Sequence, residues 1–248
     1  MKKIVRRILM LICLTVFCYS AYNLIDIYLN YKKIDDTYDE VADEYTTIVE
    51  EEEFSYLQID WDELKARNAD VKAWIQIPDT HVNYPVLQGE TNDSYIHRDI
   101  DKKELSAGSI FVASENMAPF DDLNTVIYGH NMKNGSMFHD IKSYIDQEFA
   151  NQHPYIYIYL PDGTVSRYKV FAAHIISAVS ELYNSQINDL QAFYQKIMET
   201  NNLSISFDQN SQQPIITLST CTSGGSSTNK RNVVHAVLEE KGIQISKI

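Results

Sequence analysis

The chain has 248 residues, of which 44% are hydrophobic and 22% are charged, and it contains only 8 glycines and 6 prolines. This length and apolar content suffice for one sizeable core, which excludes wholesale disorder, and the scarcity of glycine and proline excludes collagen-like and low-complexity classes. The net charge of −13 argues against nucleic-acid binding, because phosphate recognition needs clustered lysines and arginines, and such a cluster occurs only at the extreme N-terminus.

The N-terminal segment is predicted to anchor the chain in a membrane. Four basic residues in 1–7 precede an uncharged run that starts at Ile8, and the apolar character continues to Leu29. Residues 8–29, at about 1.5 Å per residue, form a helix long enough to span a hydrocarbon core of roughly 30 Å. The positive flank is expected to stay cytoplasmic, which places the rest of the chain outside the cell. A cleaved signal peptide, with small residues at Cys18–Ser20, is the alternative.

Residues 30–53 are predicted to form an acidic stalk. Ten of the 34 acidic residues lie between Asp35 and Glu53. Apolar residues recur in Lys32–Glu53 at spacings of three and four, which is typical of an amphipathic helix with an acidic outer face. These positions are Ile34, Tyr38, Val41, Tyr45 and Ile48. We expect a solvated stalk that holds the next domain off the membrane, and a partner-binding acidic helix is the alternative.

Residues 54–248 have the pattern of one mainly β domain. A short helix is predicted at Trp61–Asn68 with Asp60 as its N-cap, and a second at Asn188–Thr200. Nine segments bounded by turn residues are rich in β-branched and aromatic side chains, as strands are. They are Val71–Ile77, His81–Leu87, Gly108–Val112, Thr125–Tyr128, Tyr155–Leu160, Arg167–Ile176, Ser204–Phe207, Ile215–Leu218 and Asn232–Leu238. Many short strands with few helices favour a closed barrel or a sandwich over a parallel α/β fold.

Cys221 is the candidate nucleophile. It follows the β-branched run Ile215–Thr220 and precedes the loose polar segment Thr222–Asn229, so that a strand holds the thiol while a loop leaves it exposed. Because Cys13 and Cys18 lie in the apolar N-terminal segment, it is the single thiol of an exported domain, where disulfides usually form. A buried cysteine that acts as a small hydrophobe is the alternative.

A histidine and an arginine are candidate partners for this thiol. His130 follows Val126–Gly129 and lies at a strand end, whereas His235 alternates within a strand and is more simply a structural residue. Arg231 lies where a returning strand can bring its guanidinium beside Cys221, and a cation there favours the thiolate and stabilises an oxyanion. A surface ion pair is the alternative for this arginine. No H-x-x-x-H, C-x-x-C or acidic calcium-loop motif is present, so the sequence gives a metal site little support.

Several strings of the sequence resemble the sortases, and in their details the class B sortases. These strings are TLSTC at Thr217–Cys221, KRNVVH at Lys230–His235, YGHNMKNGSMF at Tyr128–Phe138, WIQIP at Trp74–Pro78 and YPVLQG at Tyr84–Gly89. The resemblance implies a closed eight-stranded β-barrel with N-terminal helices and one inserted helix, preceded by a single transmembrane helix. It also implies a Gram-positive cell membrane, with the N-terminus cytoplasmic and the catalytic domain extracellular.

The resemblance implies a transpeptidation that needs no metal or other cofactor. Cys221 attacks the carbonyl of a threonine in the C-terminal sorting signal, of NPxTx or xPxTG type, of an exported protein. His130 protonates the leaving amine, and Arg231 positions the substrate and stabilises the oxyanion. A peptidoglycan amine then resolves the thioester and joins the protein to the cell wall. The same similarity implies six residues that line the sorting-signal groove: Asn92, Ile96, Tyr128, Leu182, Tyr183 and Ser219.

The chain departs from the sortase pattern at three positions. Ala73 stands where the family often has glycine, and Thr222 and Ser223 stand where class B enzymes commonly have acidic residues, so assistance by an acidic residue is in doubt. Lys241–Ile248 lacks the apolar tail of a sorting signal, and we therefore expect the chain to be the enzyme and not its substrate.

Three other functions are compatible with parts of this sequence. A thiol hydrolase would use the same residues with water in place of the amine. A membrane-tethered surface-binding domain would use Cys221 only for packing. A papain-like protease is disfavoured, because in that class the cysteine precedes the histidine in the chain.

Overall fold

Residues 2–50, 54–208, 210–223 and 225–245 are described by a computed structural model. The end of the predicted stalk at 51–53, Gly224 in the polar segment after Cys221, and residues 246–248 lie outside them. The helices are α1 (Lys2–Tyr45), α2 (Trp61–Arg67), α3 (Gln147–Gln152) and α4 (Leu190–Glu199), with 3-10 turns at His139–Ile145, Glu181–Tyr183 and Gly225–Ser227. The strands are β1 (Thr46–Glu50), β2 (Ser55–Ile59), β3 (Val71–Gln76), β4 (Asn83–Leu87), β5 (Ile110–Val112), β6 (Asn124–Tyr128), β7 (Tyr155–Tyr159), β8 (Thr164–Ser177), β9 (Ile215–Cys221) and β10 (Lys230–Gln244).

Eight strands close into a barrel in the order β10–β8–β7–β3–β4–β5–β6–β9, which confirms the predicted fold. The pairs β4–β5 and β6–β9 are parallel, and the other neighbours are antiparallel. Side chains that alternate along the strands point into the barrel and form its main hydrophobic cluster, as the period of two predicts. Examples are Ile75, Val86, Ile127, Leu218 and Val234, all fully buried.

Eight of the nine predicted strands are confirmed, with end points that differ by a few residues. The strand predicted at Ser204–Phe207 is wrong. The Ser204 amide donates to the side-chain Oε1 of Gln147, and the Phe207 ring stacks on Phe171 at 4.2 Å between centroids. The β-type residues of this segment therefore contact side chains of other elements and do not pair with a neighbouring strand. The segment forms no strand in the described chain.

Both helices predicted in the β domain are confirmed. The Asp60 carboxylate accepts the Glu63 amide at the start of α2, as predicted for an N-cap. The Asp189 carboxylate caps α4 in the same way by accepting the amide of Ala192. The apolar face of α4 packs on the outside of β8 and β10 in a separate hydrophobic cluster, which includes Leu190, Phe193, Tyr194 and Ile197.

The segment predicted as a solvated stalk instead packs on the barrel. α1 runs without a break to Tyr45, and Ile34, Tyr38 and Val41 are buried with it. The Tyr38 hydroxyl donates to the main-chain carbonyl of Gly108. Helical spacing does not continue to Ile48, which is 64% exposed, because the chain changes to strand β1 after Tyr45. The apolar face of this segment is therefore part of the core.

The N-terminal part of α1 is long and apolar enough to cross a membrane, and it is the one helix in the described residues with that property. Its apolar side chains from Ile4 to Leu29 are largely exposed. Length and composition thus agree with the predicted membrane anchor.

Two parts of the fold were not predicted. The β1–β2 hairpin pairs Thr46 with Ile59 through to Glu50 with Ser55. The second part is the 3-10 turn and α3 that precede β7, where the Asp146 carboxylate accepts the amides of Glu148 and Phe149. An aspartate two to three residues before those amides is an N-cap signal that the sequence contained.

Candidate active site

Cys221 is the last residue of β9, and its thiol is partly buried. β9 lies between β6, to which it is parallel, and β10, to which it is antiparallel. The pairing with β6 ends at Tyr128 and Ser219, whereas the pairing with β10 continues to Arg231 and Cys221. The thiol therefore lies at the end of a strand that is paired on both sides, at the point where the chain leaves the barrel and enters a loop.

His130 follows β6 and is held at the same end of the barrel. The Gly129 amide donates to the Ser219 carbonyl at 3.2 Å, which extends the β6–β9 pairing up to the histidine. The His130 ring places Nε2 2.8 Å from the main-chain oxygen of Ile96 and stacks on His97 at 5.5 Å between ring centroids. A carbonyl oxygen only accepts hydrogen bonds, so this nitrogen carries the proton.

The environment of His130 disfavours its charged form. Burial lowers the pKa of the imidazole below its ordinary value of 6.5, and the neighbouring His97 acts in the same direction. The hydrogen bond to the Ile96 carbonyl opposes these effects without cancelling them. The neutral ring with its proton on Nε2 has an unprotonated Nδ1, which is the nitrogen available as a base.

Arg231 lies directly opposite Cys221 in the antiparallel β9–β10 ladder. Residues opposite each other in such a ladder project to the same face, so the guanidinium and the thiol share one side of the sheet. One guanidinium nitrogen, Nη1, donates to the carbonyls of Thr228 and Lys230, both at 2.9 Å. The loop that follows the nucleophile thus orients the arginine beside it.

A groove of about 310 Å³ contains all three groups. Its walls come from the ends of β5, β6, β9 and β10 and from the loops before β5 and after β8. The residues that line it are Asn92, Asp93, Ile96, Phe111, Tyr128, Gly129, His130, Ala178, Tyr183, Ser219, Thr220, Cys221 and Arg231.

Five of the six residues expected to line a peptide groove do line this one: Asn92, Ile96, Tyr128, Tyr183 and Ser219. The Tyr183 and Ser219 hydroxyls are hydrogen-bonded at 2.9 Å. Burial raises the pKa of Tyr183 to about 12, so its hydroxyl stays neutral and able to donate.

Leu182 lies apart from these five. It is only 4% exposed and packs in the hydrophobic cluster beneath α4, outside the set of groove-lining residues. Its position in the 3-10 turn Glu181–Tyr183 supports the tyrosine that follows it. Leu182 was expected to line the groove, but in the structure it packs in the hydrophobic cluster instead.

Five lining residues were not assigned to the site from the sequence: Asp93, Phe111, Gly129, Ala178 and Thr220. Phe111 tilts against Tyr128 with ring centroids 5.6 Å apart, and both lie at strand ends that pair in the barrel. Phe111 lies in the predicted strand Gly108–Val112, whereas Ala178 reaches the groove only through the path of the loop after β8. Thr220 belongs to the TLSTC string, but the resemblance assigns it no place in the groove.

His235, the other histidine considered as a partner, lies inside the barrel wall. It is fully buried opposite Thr217, with ring nitrogens 2.9 Å from the Thr217 hydroxyl and 2.9 Å from Nε2 of His174. Both ring nitrogens therefore have hydrogen-bond partners within the core. The ring lies opposite Thr217, which is four residues before Cys221 in β9. The structure therefore gives His235 a structural role.

A larger cavity of about 680 Å³ lies near the β7–β8 turn, at the other end of the barrel. Among its described lining residues are Glu44, Asp60 and Trp61 but no cysteine or histidine. In the described chain, no group of three or more histidine, cysteine, aspartate or glutamate side chains has the arrangement of a metal site. The smaller groove is therefore the candidate active site.

Known proteins resemble this chain in sequence and in fold. The model of the sortase domain matches residues 75–239. Sortase B of Listeria monocytogenes is 32% identical over 184 residues, which is 72% of this chain and 74% of that protein.

Two solved structures are similar in fold. A Staphylococcus aureus sortase B–substrate complex has a TM-score of 0.66 at 29% identity, covering 75% of this chain and 85% of that one. A sortase B complexed with triglycine has a TM-score of 0.67 at 26% identity, covering 89% and 99%.

Proposed function

The chain belongs to the sortase family and within it to class B, whose members are cysteine transpeptidases, and we propose that Cys221, His130 and Arg231 carry out its reaction. One observation carries this assignment: Arg231 faces Cys221 across the β9–β10 ladder, and His130, which follows the neighbouring strand β6, lines the same groove. A nucleophile, a base and a cation in one groove are the groups that acyl transfer through a thioester requires.

The first step is attack of the Cys221 sulfur on the carbonyl of a threonine in the sorting signal. Nδ1 of His130 takes the thiol proton, because Nε2 already donates to the Ile96 carbonyl. The guanidinium of Arg231 stabilises the negative charge that develops on the carbonyl oxygen. Collapse of this intermediate breaks the peptide bond, and His130 gives the proton to the leaving amine. The acyl group stays on Cys221 as a thioester.

The second step transfers the acyl group to an amine. His130 takes a proton from the attacking nitrogen, the new amide bond forms, and the Cys221 sulfur leaves with its proton restored. We propose a peptidoglycan amine as the physiological acceptor. The similar sortase B complexed with triglycine supports an amine acceptor of small size.

The sorting signal is proposed to bind along the groove as an extended peptide. Asn92, Ile96, Tyr128, Tyr183 and Ser219 line the groove along which it would lie. Leu182 acts on the peptide only through Tyr183, under which it packs. We propose a signal of NPxTx or xPxTG type. The similar Staphylococcus aureus sortase B, solved as a complex with its substrate, supports substrate binding by this fold.

Sortases are membrane-associated enzymes of the cell surface, and α1 supplies the candidate span. We propose a single pass through residues 8–29, with the basic end 1–7 in the cytoplasm and the barrel outside. The charge asymmetry around the apolar run supports this orientation. Because α1 packs on the barrel from Ile34 onward, we propose that the catalytic domain begins within this helix.

A direct test incubates the full chain in detergent with sorting peptides of NPxTx and xPxTG types and an amine acceptor, with products identified by mass spectrometry. We expect a thioester on Cys221 and a peptide–amine product. Cys221→Ala should form neither, and His130→Ala should lose turnover. Product that contains water in place of the amine, at saturating acceptor, would establish the hydrolase alternative. Full activity in Cys221→Ala would refute the assignment.

A further inference from the structure

Two asparagine side chains hold the main-chain carbonyl of Cys221. Nδ2 of Asn131 lies 2.9 Å from this oxygen, and Nδ2 of Asn232 lies 3.2 Å from it. The carbonyl only accepts, so each amide must present its NH2 group, and the orientation of both side chains follows from chemistry. Asn131 is the residue after His130, and Asn232 is the residue after Arg231.

The position of Cys221 in the barrel makes such an anchor necessary. The β6–β9 pairing ends at Ser219, two residues before the nucleophile, and the β9–β10 pairing ends at Cys221 itself. The chain then enters the polar loop that begins at Thr222. A residue at a strand end has fewer inter-strand hydrogen bonds than the residues before it, and strand ends therefore open most easily. The two amides supply hydrogen bonds where the ladder stops.

Both asparagines are themselves held in place. Asn232 is 4% exposed and lies in β10 opposite Thr220. Its side chain points to the face opposite that of Arg231, because neighbouring residues in a strand alternate. Asn131 forms a β-bridge with Met137, and the Phe138 amide closes the same turn by donating to the His130 carbonyl. The anchors are thus part of the rigid frame and not of the loop.

From this geometry we propose that Asn131 and Asn232 are positioning residues that join the three catalytic groups through one atom, the Cys221 carbonyl oxygen. The inference rests on the proposed roles of Cys221, His130 and Arg231. The segment that carries the base and the segment that carries the cation each donate to the nucleophile's own backbone. The thiol consequently keeps its place relative to the imidazole and the guanidinium at the point where the strand pairing ends.

The test compares Asn131→Leu, Asn232→Leu and the double variant with the parent chain. Leucine has nearly the shape of asparagine but lacks its donor, so the packing is kept and the hydrogen bond is lost. The readouts are kcat and KM for a sorting peptide that the parent chain uses, and the pH–rate profile of Cys221 alkylation by iodoacetamide. Peptide mapping by mass spectrometry separates Cys221 from Cys13 and Cys18.

We expect each single variant to lose kcat about three- to tenfold, the effect of one neutral hydrogen bond, with KM within about twofold. The double variant should lose more than the product of the two single losses, because either amide alone still holds the same carbonyl. The alkylation profile should differ from that of the parent chain, because the reactivity of the thiol depends on its position relative to the imidazole and the guanidinium.

Asn201→Leu is the matched structural control. Its Nδ2 also donates to main-chain carbonyls, those of Phe171 and Leu203, but on the α4 side of the barrel. This variant should lower the melting temperature and leave kcat and the alkylation profile unchanged. If it changes them as Asn131→Leu does, general loosening explains both and the positioning role is refuted.

Other outcomes also decide the matter. A double loss equal to the product of the single losses, or a changed KM with an unchanged kcat, would overturn the shared anchor. If Asn232→Leu fails to fold, the partly buried Asn131→Leu still tests the idea by its kcat and alkylation profile. If the parent chain turns over no sorting peptide, the proposed function fails, whereas the alkylation profiles still test the anchor.

Discussion

Arg231 and Cys221 are directly opposed residues at the open end of the β9–β10 ladder, ten residues apart in the chain and on one face of the sheet. The ladder therefore fixes the spacing of the cation and the thiol through the backbone. The polar loop between them closes the connection, and the carbonyls of Thr228 and Lys230, at its far end, accept from the guanidinium.

Arg231→Lys is predicted to lower kcat/KM for a sorting peptide about 10- to 100-fold. Lysine keeps the charge, but its compact ammonium cannot hold two carbonyls and still present a planar fork to the groove. Steady-state kinetics with the peptide and the amine acceptor measure the effect. Arg167→Lys, at a partly exposed ion pair with Glu239, is the control and should stay within about twofold of the parent. Activity equal to the parent's in Arg231→Lys would refute a role for the guanidinium.

His130 is predicted to titrate below its ordinary pKa of 6.5, because burial disfavours the imidazolium and His97 adds to the effect. The neutral ring therefore predominates at pH 7, and the midpoint for loss of the neutral base with falling pH should lie below 6.5. NMR titration of isotope-labelled histidine measures the midpoint. Removal of the neighbouring ring in His97→Ala should move the midpoint upward. A midpoint at or above 6.5 in the parent chain would contradict this account.

The buried pair His174 and His235 is predicted to make the fold sensitive to acid. Burial lowers the pKa of His174 to about 4 and that of His235 well below 6.5, so the folded state keeps both neutral while the unfolded state takes up protons below pH 6.5. The stabilisation is complete above pH 6.5 and is lost as the pH falls toward 4. A shift of this size corresponds to roughly 3 kcal/mol for His174.

Urea unfolding at several pH values measures this loss. The double variant His174→Gln/His235→Gln keeps hydrogen-bonding groups but cannot titrate, so its free energy of unfolding should fall less between pH 6.5 and 4 than that of the parent. The carboxylates are the same in both chains, and their contribution cancels in the comparison. Equal slopes for the two chains would show that the histidine pair does not carry the acid sensitivity.

The end of α1 is predicted to be part of the folding unit. A chain that begins at Thr46 lacks Ile34, Tyr38, Val41 and Tyr45, all buried, and should be at least about 3 kcal/mol less stable than a chain that begins at Asn30. Urea unfolding of both soluble chains measures the difference. Ile48→Ser, at a position 64% exposed, is the control and should cost much less. Equal stability of the two chains would restore the solvated-stalk interpretation.

The candidate reactive side chains of the site were predicted from the sequence. TLSTC, the arginine after the loop and the Tyr128–Phe138 string predicted the candidate groups, and Cys221, His130 and Arg231 line one groove. Strand periodicity located eight of the barrel strands, because each has one face in the core and is bounded by turn residues. These features depend on residues close together in the chain.

Other features depend on contacts between distant segments. The helical spacing of apolar residues in 34–45 is the same whether this helix is a solvated stalk or is packed on the barrel. The two arrangements differ only in the contacts of that apolar face, such as those of Tyr38 with Gly108 and Tyr84. Likewise, Ser204–Phe207 had strand composition but found side-chain partners in place of a ladder. Composition predicts how a segment can pack, but not which surface is available to it.

The sequence by itself determined the family and the barrel and predicted the candidate reactive groups, because motif residues and period-two patterns are properties of short stretches of chain. Only the tertiary structure decided which ring nitrogen of His130 is free, which residues line the groove, and which atom Asn131 and Asn232 hold. The reason is physical: hydrogen bonds act over about 3 Å, and strand register alone brings groups 90 residues apart in the chain within that distance.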